Sequence, residues 1–184
     1  MEGHHLILGK LKDFLTGQIL NDTHDERYRQ NIANLLVTKK GYLKQDINSG
    51  YELTVRAGKN KGILKVDFLI SLAEKTAMII KYGPGSLTTR HRPGLALSRL
   101  TELYQIPVLV VTNGEDADIL DGASGRITGS GLEKIPSKTE LLKIVSNAEF
   151  KSISKHRREM ESRIAFCYEI DGACPCDTTV CKIN

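Results

Sequence analysis

Tryptophan is missing from this 184-residue sequence, and aromatic residues make up only 5% of it. A core must therefore be packed from Leu, Ile and Val, and a surface built on aromatic stacking platforms is disfavoured. No run of about 18 apolar residues occurs, so no membrane-spanning helix is expected. The opening MEGHHLILGKLKDFL is interrupted too early, by Lys10, Lys12 and Asp13, to read as a secretory signal, which makes the cytoplasm the expected compartment. The motif G-x-x-x-x-G-K-[ST] is absent, which argues against an NTP-driven motor. Cysteine does not occur before Cys167.

What is present suits one globular domain. The chain is 40% hydrophobic and 26% charged, enough to bury a core. Its formal charge of +4 is unevenly spread. From Lys81 to Arg99 it carries Lys81, Arg90, His91, Arg92 and Arg99, with no acid until Glu102. Such a patch suits a phosphate backbone through counterion release, although a solvated helix face is the ordinary reading of a charge run.

In chain order, Leu8, Leu11, Leu15 and Ile19 recur at nearly helical spacing, so a helix is expected within Leu6–Leu20, with Gly17 as its weak point. Thr23-His24-Asp25-Glu26 has the form of a capping box and opens RYRQNIANLLVTKKGY, closed by Gly41. Tyr51, Leu53 and Val55 alternate with Glu52, Thr54 and Arg56 as a half-buried strand. The next strand, Lys65–Ile70, should put Lys65, Asp67 and Leu69 on one face and Val66, Phe68 and Ile70 on the other. Thr76–Tyr82 returns as a third strand. Gly83-Pro84-Gly85 is a tight loop, a helix is expected to begin near Pro93, and Val108–Val111 reads as a strand buried on both faces. Residues 117–120 and 126–128 fit a small peripheral hairpin. Ser137-Lys138-Thr139-Glu140 starts a further helix that runs, with a break, towards Arg163.

Asp67 is a lone carboxylate inside an apolar strand, a costly placement unless it is paired or binds a cation. An antiparallel hairpin can bring the Lys81 face beside it, so an acid and a lysine share one site. A structural ion pair would explain that pairing equally well.

Together, DERYRQNIANLLVTKKGY, VDFLI, MIIKYGPGS and PVLVVTNG resemble the N-terminal domain of the R subunit of type I restriction enzymes, a branch of the PD-(D/E)xK nuclease superfamily, and most of all small bacterial proteins in which it stands alone. The resemblance implies an α/β, restriction-endonuclease-like core: a helix, three antiparallel strands, a crossover helix and a parallel strand, with a peripheral hairpin and a C-terminal helix. Residues 1–22 then form an N-terminal helical extension, 23–150 the nuclease-like domain, and 151–184 a basic helix with a Cys-rich tail. It further implies metal-dependent hydrolysis of DNA phosphodiesters with magnesium or manganese. Asp67 would hold the metal, Lys81 would orient or activate the attacking water, and Glu26, or Glu52, would be an additional metal acid. Arg90, Arg92 and Arg99 are candidate phosphate contacts. The family's second acid should stand two residues before the lysine, where this chain has Ile79, and its helix glutamine is replaced by Leu100. A catalytically degenerate relative that binds nucleic acid or a protein partner is therefore the alternative. A homodimer, or a second chain conferring specificity, would be in keeping with either.

Cys167, Cys174, Cys176 and Cys181 lie together in AFCYEIDGACPCDTTVCKIN. Clustered thiols without a secretory signal point to metal or redox chemistry rather than a disulfide framework. Zinc held by the four thiolates is expected ahead of an iron-sulfur cluster. A tail with incidental thiols and a disulfide to Cys181 are the alternatives.

Overall fold

The computed structural model describes residues 6–171, 173 and 180–183. The expected first helix is a hairpin instead: strands β1 (Gly9–Lys12) and β2 (Ile19–Asp22) pair antiparallel. Its turn is made by Asp13, whose carboxylate accepts from the Thr16 N–H at 2.6 Å and the Thr16 hydroxyl at 2.8 Å, and by Gly17 at φ +77°. These local turn bonds override an apolar spacing whose members Leu8 and Ile19 remain exposed.

Helix α1 (His24–Thr38) begins where the sequence indicates, with the Thr23 hydroxyl accepting from the Glu26 N–H at 3.1 Å. The reciprocal half of the capping box is not made, because the Glu26 carboxylate accepts from Gln30 Nε2 at 2.7 Å. Ile32, Ala33 and Leu36 form its buried face.

Strands β3 (Ile47–Ala57), β4 (Asn60–Leu72) and β5 (Lys75–Tyr82) follow as an antiparallel meander. Helix α2 (Thr88–Leu100) crosses over and returns the chain in β6 (Val108–Thr112), parallel to β5. It starts before Pro93, which lies inside it at the cost of one helical hydrogen bond. Strands β7 (Ala117–Asp121) and β8 (Ile127–Ser130) make the expected hairpin, but β7 pairs along all of β6 and buries Ala117, Ile119 and Leu120, so the hairpin extends the sheet. Helix α3 (Lys138–Asn147) carries a reciprocal capping box between Ser137 and Glu140. A separate α4 (Lys155–Ala165) continues into a π-helical turn, Phe166–Asp171, and β9 (Val180–Ile183) adds antiparallel to the start of β4. Among the described residues the main sheet has seven strands and the fold is mixed α/β.

Two apolar clusters cover the sheet's faces. One joins Ile32 and Leu36 of α1 and Leu141 of α3 to Phe68, Ile70, Met78, Ile80 and Val110. The other joins Leu95, Leu97 and Leu100 of α2, with Ala165, Phe166 and Ile170, to Leu64, Val66, Leu69, Ile79 and Leu109. Val66 and Leu69 thus share a face, which a regular pleat forbids, and the expected grouping of Val66 with Phe68 and Ile70 is broken. The break falls at Asp67. The register sets Gly50 opposite, at φ +67°, a left-handed backbone that favours glycine. The strand changes facing at its acid, and the carboxylate is reached by Arg29 of α1.

Candidate active site

The acid and the lysine singled out in the sequence meet. Lys81 Nζ lies 3.4 Å from Asp67 Oδ2, and both side chains are buried. The surrounding backbone explains the contact. β4 pairs with β5 as far as Phe68↔Ile80 and with β9 from Leu64↔Val180, and Lys65–Asp67 lie between the two pairings. The Lys65 carbonyl is taken by Lys81, which donates to it at 3.1 Å.

Asp67 has further partners. Arg29 of α1 donates from Nε to Oδ1 at 2.7 Å, and the Tyr82 N–H donates to Oδ2 at 2.8 Å. Burial alone would raise the Asp67 carboxyl; the charges of Lys81 and Arg29, together with these two hydrogen bonds, outweigh it and hold the acid below its usual range. The carboxylate is therefore ionised at neutral pH. Burial pulls Arg29 down in turn, but Asp67 first and then Glu26 raise it overall. Its guanidinium lies 5.0 Å from the Tyr82 ring centroid, and the Tyr82 hydroxyl donates to Asp25 Oδ1 at 2.8 Å. Glu26 Oε2 is 3.6 Å from Arg29, so it joins the site through the guanidinium. Glu52 does not join: it is exposed, opposite Lys65 in the register, and pairs with that lysine at 3.7 Å.

The three arginines have different fates. Arg90 is half-buried against the Gly83-Pro84 loop, donating to the Pro84 carbonyl at 3.3 Å, and among the described residues it has no ion-pair partner. Arg92 and Arg99 both pair with Glu161 of α4, at 2.6 and 2.9 Å, and Arg157 adds a third contact at 2.7 Å. Glu161 is fully buried and Arg99 nearly so, which withdraws Arg99 from phosphate contact. This cluster stitches α4 to α2. Arg158 reinforces the seam by donating to the Arg99, Leu100 and Glu102 carbonyls, capping the C-terminal end of α2.

Arg29, Glu161 and Glu169 carry no motif and were not singled out from sequence. Glu169, in the π-helical turn, is buried with Oε2 3.9 Å from Lys81 Nζ. The one available signal was an acid inside a short apolar stretch, AFCYEI. Ile79, by contrast, is fully buried in the cluster under α2.

The family model for the type I restriction enzyme R protein N terminus matches residues 24–136, well over half of the chain. The chain belongs to that family. No curated protein and no solved structure matches it. Membership in the R protein N-terminal family makes this a restriction-enzyme-related, nucleic-acid-processing domain. The matched span contains Arg29, Asp67 and Lys81 but ends before Glu161 and Glu169.

Whether a hard divalent cation suits the site turns on its oxygens. Among the described residues no group of three or more His, Cys, Asp or Glu is placed to hold a metal. Magnesium, however, binds through one or two carboxylates plus substrate phosphate. A carboxylate offers about four lone-pair sites, and Arg29 and the Tyr82 N–H occupy one each on Asp67. Asp67 thus keeps carboxylate lone pairs of the kind such a cation takes. At the C-terminal end, Cys167 and Cys181 are exposed free thiols, while Cys174 and Cys176 lie outside the described residues. Among the described residues no helix is long and apolar enough to cross a membrane.

Proposed function

We propose that this R protein N-terminal domain is a PD-(D/E)xK-type nuclease module that hydrolyses DNA phosphodiesters, with Asp67 and Lys81 at its centre. The observation that carries the reading is the 3.4 Å approach of the buried Lys81 ammonium to the buried Asp67 carboxylate. Magnesium or manganese at Asp67 would polarise the phosphate and lower the pKa of a bound water. Lys81, held by Asp67 and the Lys65 carbonyl, orients the attacking water. Arg29 fixes the Asp67 rotamer from α1. Arg90, beside the Gly83-Pro84 loop, supplies a phosphate contact at the rim. Sequence choice would come from a second copy or another chain, and the compartment is the cytoplasm. Zinc or an iron-sulfur cluster is proposed on the C-terminal cysteines.

A binding-only relative is the second reading. It is favoured by the burial of Ile79 where an acid is expected and by the Arg29 contact on Oδ1. Metal-stripped protein should nick supercoiled plasmid when magnesium or manganese is returned, and Asp67→Asn and Lys81→Gln should not. Equal background from all three proteins, with DNA binding retained, would establish the binding-only reading.

A further inference from the structure

Resting on the hydrolytic reading, we propose that Glu169 is the second acid of this site. The carboxylate that β5 lacks at Ile79 is delivered by the π-helical turn Phe166–Asp171, and it serves with Asp67 as an oxygen ligand to the divalent cation.

The turn is built to aim this side chain. Phe166, Glu169 and Ile170 point inward while Cys167 and Tyr168 stay exposed. Phe166 and Ile170 are anchored in the apolar cluster with Leu64, Val66 and Ile79, so the turn cannot drift from the sheet. Ile170 packs onto Gly62 of β4, where an added Cβ would collide with it. Of the three inward residues, the acid alone faces a charge. A widened helical turn of this kind is often found at functional sites.

Glu169 is also a poor structural tether. Its side chain is 7% exposed, and among the described residues its one ion-pair contact is Lys81 at 3.9 Å, beyond hydrogen-bond range. Lys81 already has Asp67 at 3.4 Å and the Lys65 carbonyl at 3.1 Å. Asp67 is further neutralised by Arg29 at 2.7 Å. The charged groups facing this point are therefore Asp67, Lys81 and Arg29, and Glu169 keeps lone pairs that none of them uses. Among the described residues no fully buried side-chain oxygen lacks a hydrogen-bond partner, so the Glu169 oxygens keep contact with solvent and a hydrated cation can reach them. Asp67 and Glu169 flank the same ammonium, so both reach a hydrated cation beside it, and two carboxylates suffice for magnesium or manganese.

The test is manganese binding to the metal-stripped full chain, read from the electron paramagnetic resonance of free Mn2+, with thermal melting and plasmid nicking alongside. Glu169→Gln should raise the Mn2+ Kd by at least about tenfold and lower nicking while the protein still melts cooperatively. Glu169→Asp, which keeps the charge on a shorter arm, should recover part of the affinity, and it decides the matter if the glutamine variant does not fold. A Kd unchanged in the folded variant would overturn the assignment and leave Glu169 a counter-ion of Lys81, whatever happens to nicking. If the parent binds Mn2+ through Glu169 yet never nicks DNA, the ligand assignment stands and the hydrolytic reading falls. Failure of the parent to bind Mn2+ overturns both.

Discussion

Replacing Glu161 by glutamine should be the most damaging change of a single charge outside the site. The carboxylate is fully buried between α2 and α4 and meets three guanidinium groups, those of Arg92, Arg99 and Arg157. Breaking a buried pair by removing one partner costs about 3–5 kcal/mol. Arg92 and Arg157 are 40% and 54% exposed and can return to water, whereas Arg99 is 10% exposed and is left stranded. The low end, about 3 kcal/mol, is therefore expected. For a chain of this length that lowers Tm by about 6–12 °C. Burial alone would raise the Glu161 carboxyl, but its arginines, Arg92 first, hold it below the usual range. Its stabilisation is thus complete above the ordinary carboxylate pKa and is lost as pH falls through the lowered folded value, where the unfolded chain binds the extra proton. Burial pushes Arg99 down, yet an arginine stays protonated, so the cluster titrates through Glu161. Urea unfolding at neutral pH is the assay, with the exposed neighbour Glu159→Gln as control, expected within about 0.5 kcal/mol of the parent. A Glu161→Gln midpoint equal to the control's would refute the claim that this cluster holds α4 in place.

Two further substitutions act on the acid of the site and on a close backbone contact. Asp67 is likewise held below its usual range, so Asp67→Asn should flatten the acid limb of the Tm–pH curve below the ordinary carboxylate value of 3.8; parallel curves for parent and variant would show that the carboxylate is not held by Lys81 and Arg29. Gly122→Ala would drive a Cβ into the Ile106 carbonyl and within 2.7 Å of Gln105 Nε2, whose amide oxygen accepts from Arg99. A loss of about 1–3 kcal/mol is expected in urea unfolding, and a parent-like midpoint would mean that the loop yields freely.

Much of the central architecture was legible because each piece announces itself within a few residues. Thr23 and Ser137 mark helix starts, Val108–Val111 reads as a doubly buried strand, and Asp67 is conspicuous in VDFLI. Its approach to Lys81 followed from hairpin geometry. Failures came where distant partners decide. Leu8 and Ile19 mimic a helical stripe, but the Asp13 turn bonds win. Arg99 looks like a phosphate contact until α4, more than fifty residues later, brings the buried Glu161 to it. Alternation failed at Asp67 because its cause, the left-handed Gly50, sits on the neighbouring strand. Glu169 showed only as an acid in the apolar stretch AFCYEI, because its partner Lys81 is met only when folding carries the π-helical turn back to the sheet.

That return sets the smallest piece of this protein that can be transplanted. A fragment cut to residues 24–136 keeps Asp67 and Lys81 but strips Phe166 and Ile170 from Leu64 and Val66 and removes the strand beside Lys61–Leu64. It would present an uncovered apolar face and a raw sheet edge, the usual beginnings of aggregation. A chimera carrying this site into another enzyme must therefore take the chain through β9, or provide a substitute lid of its own.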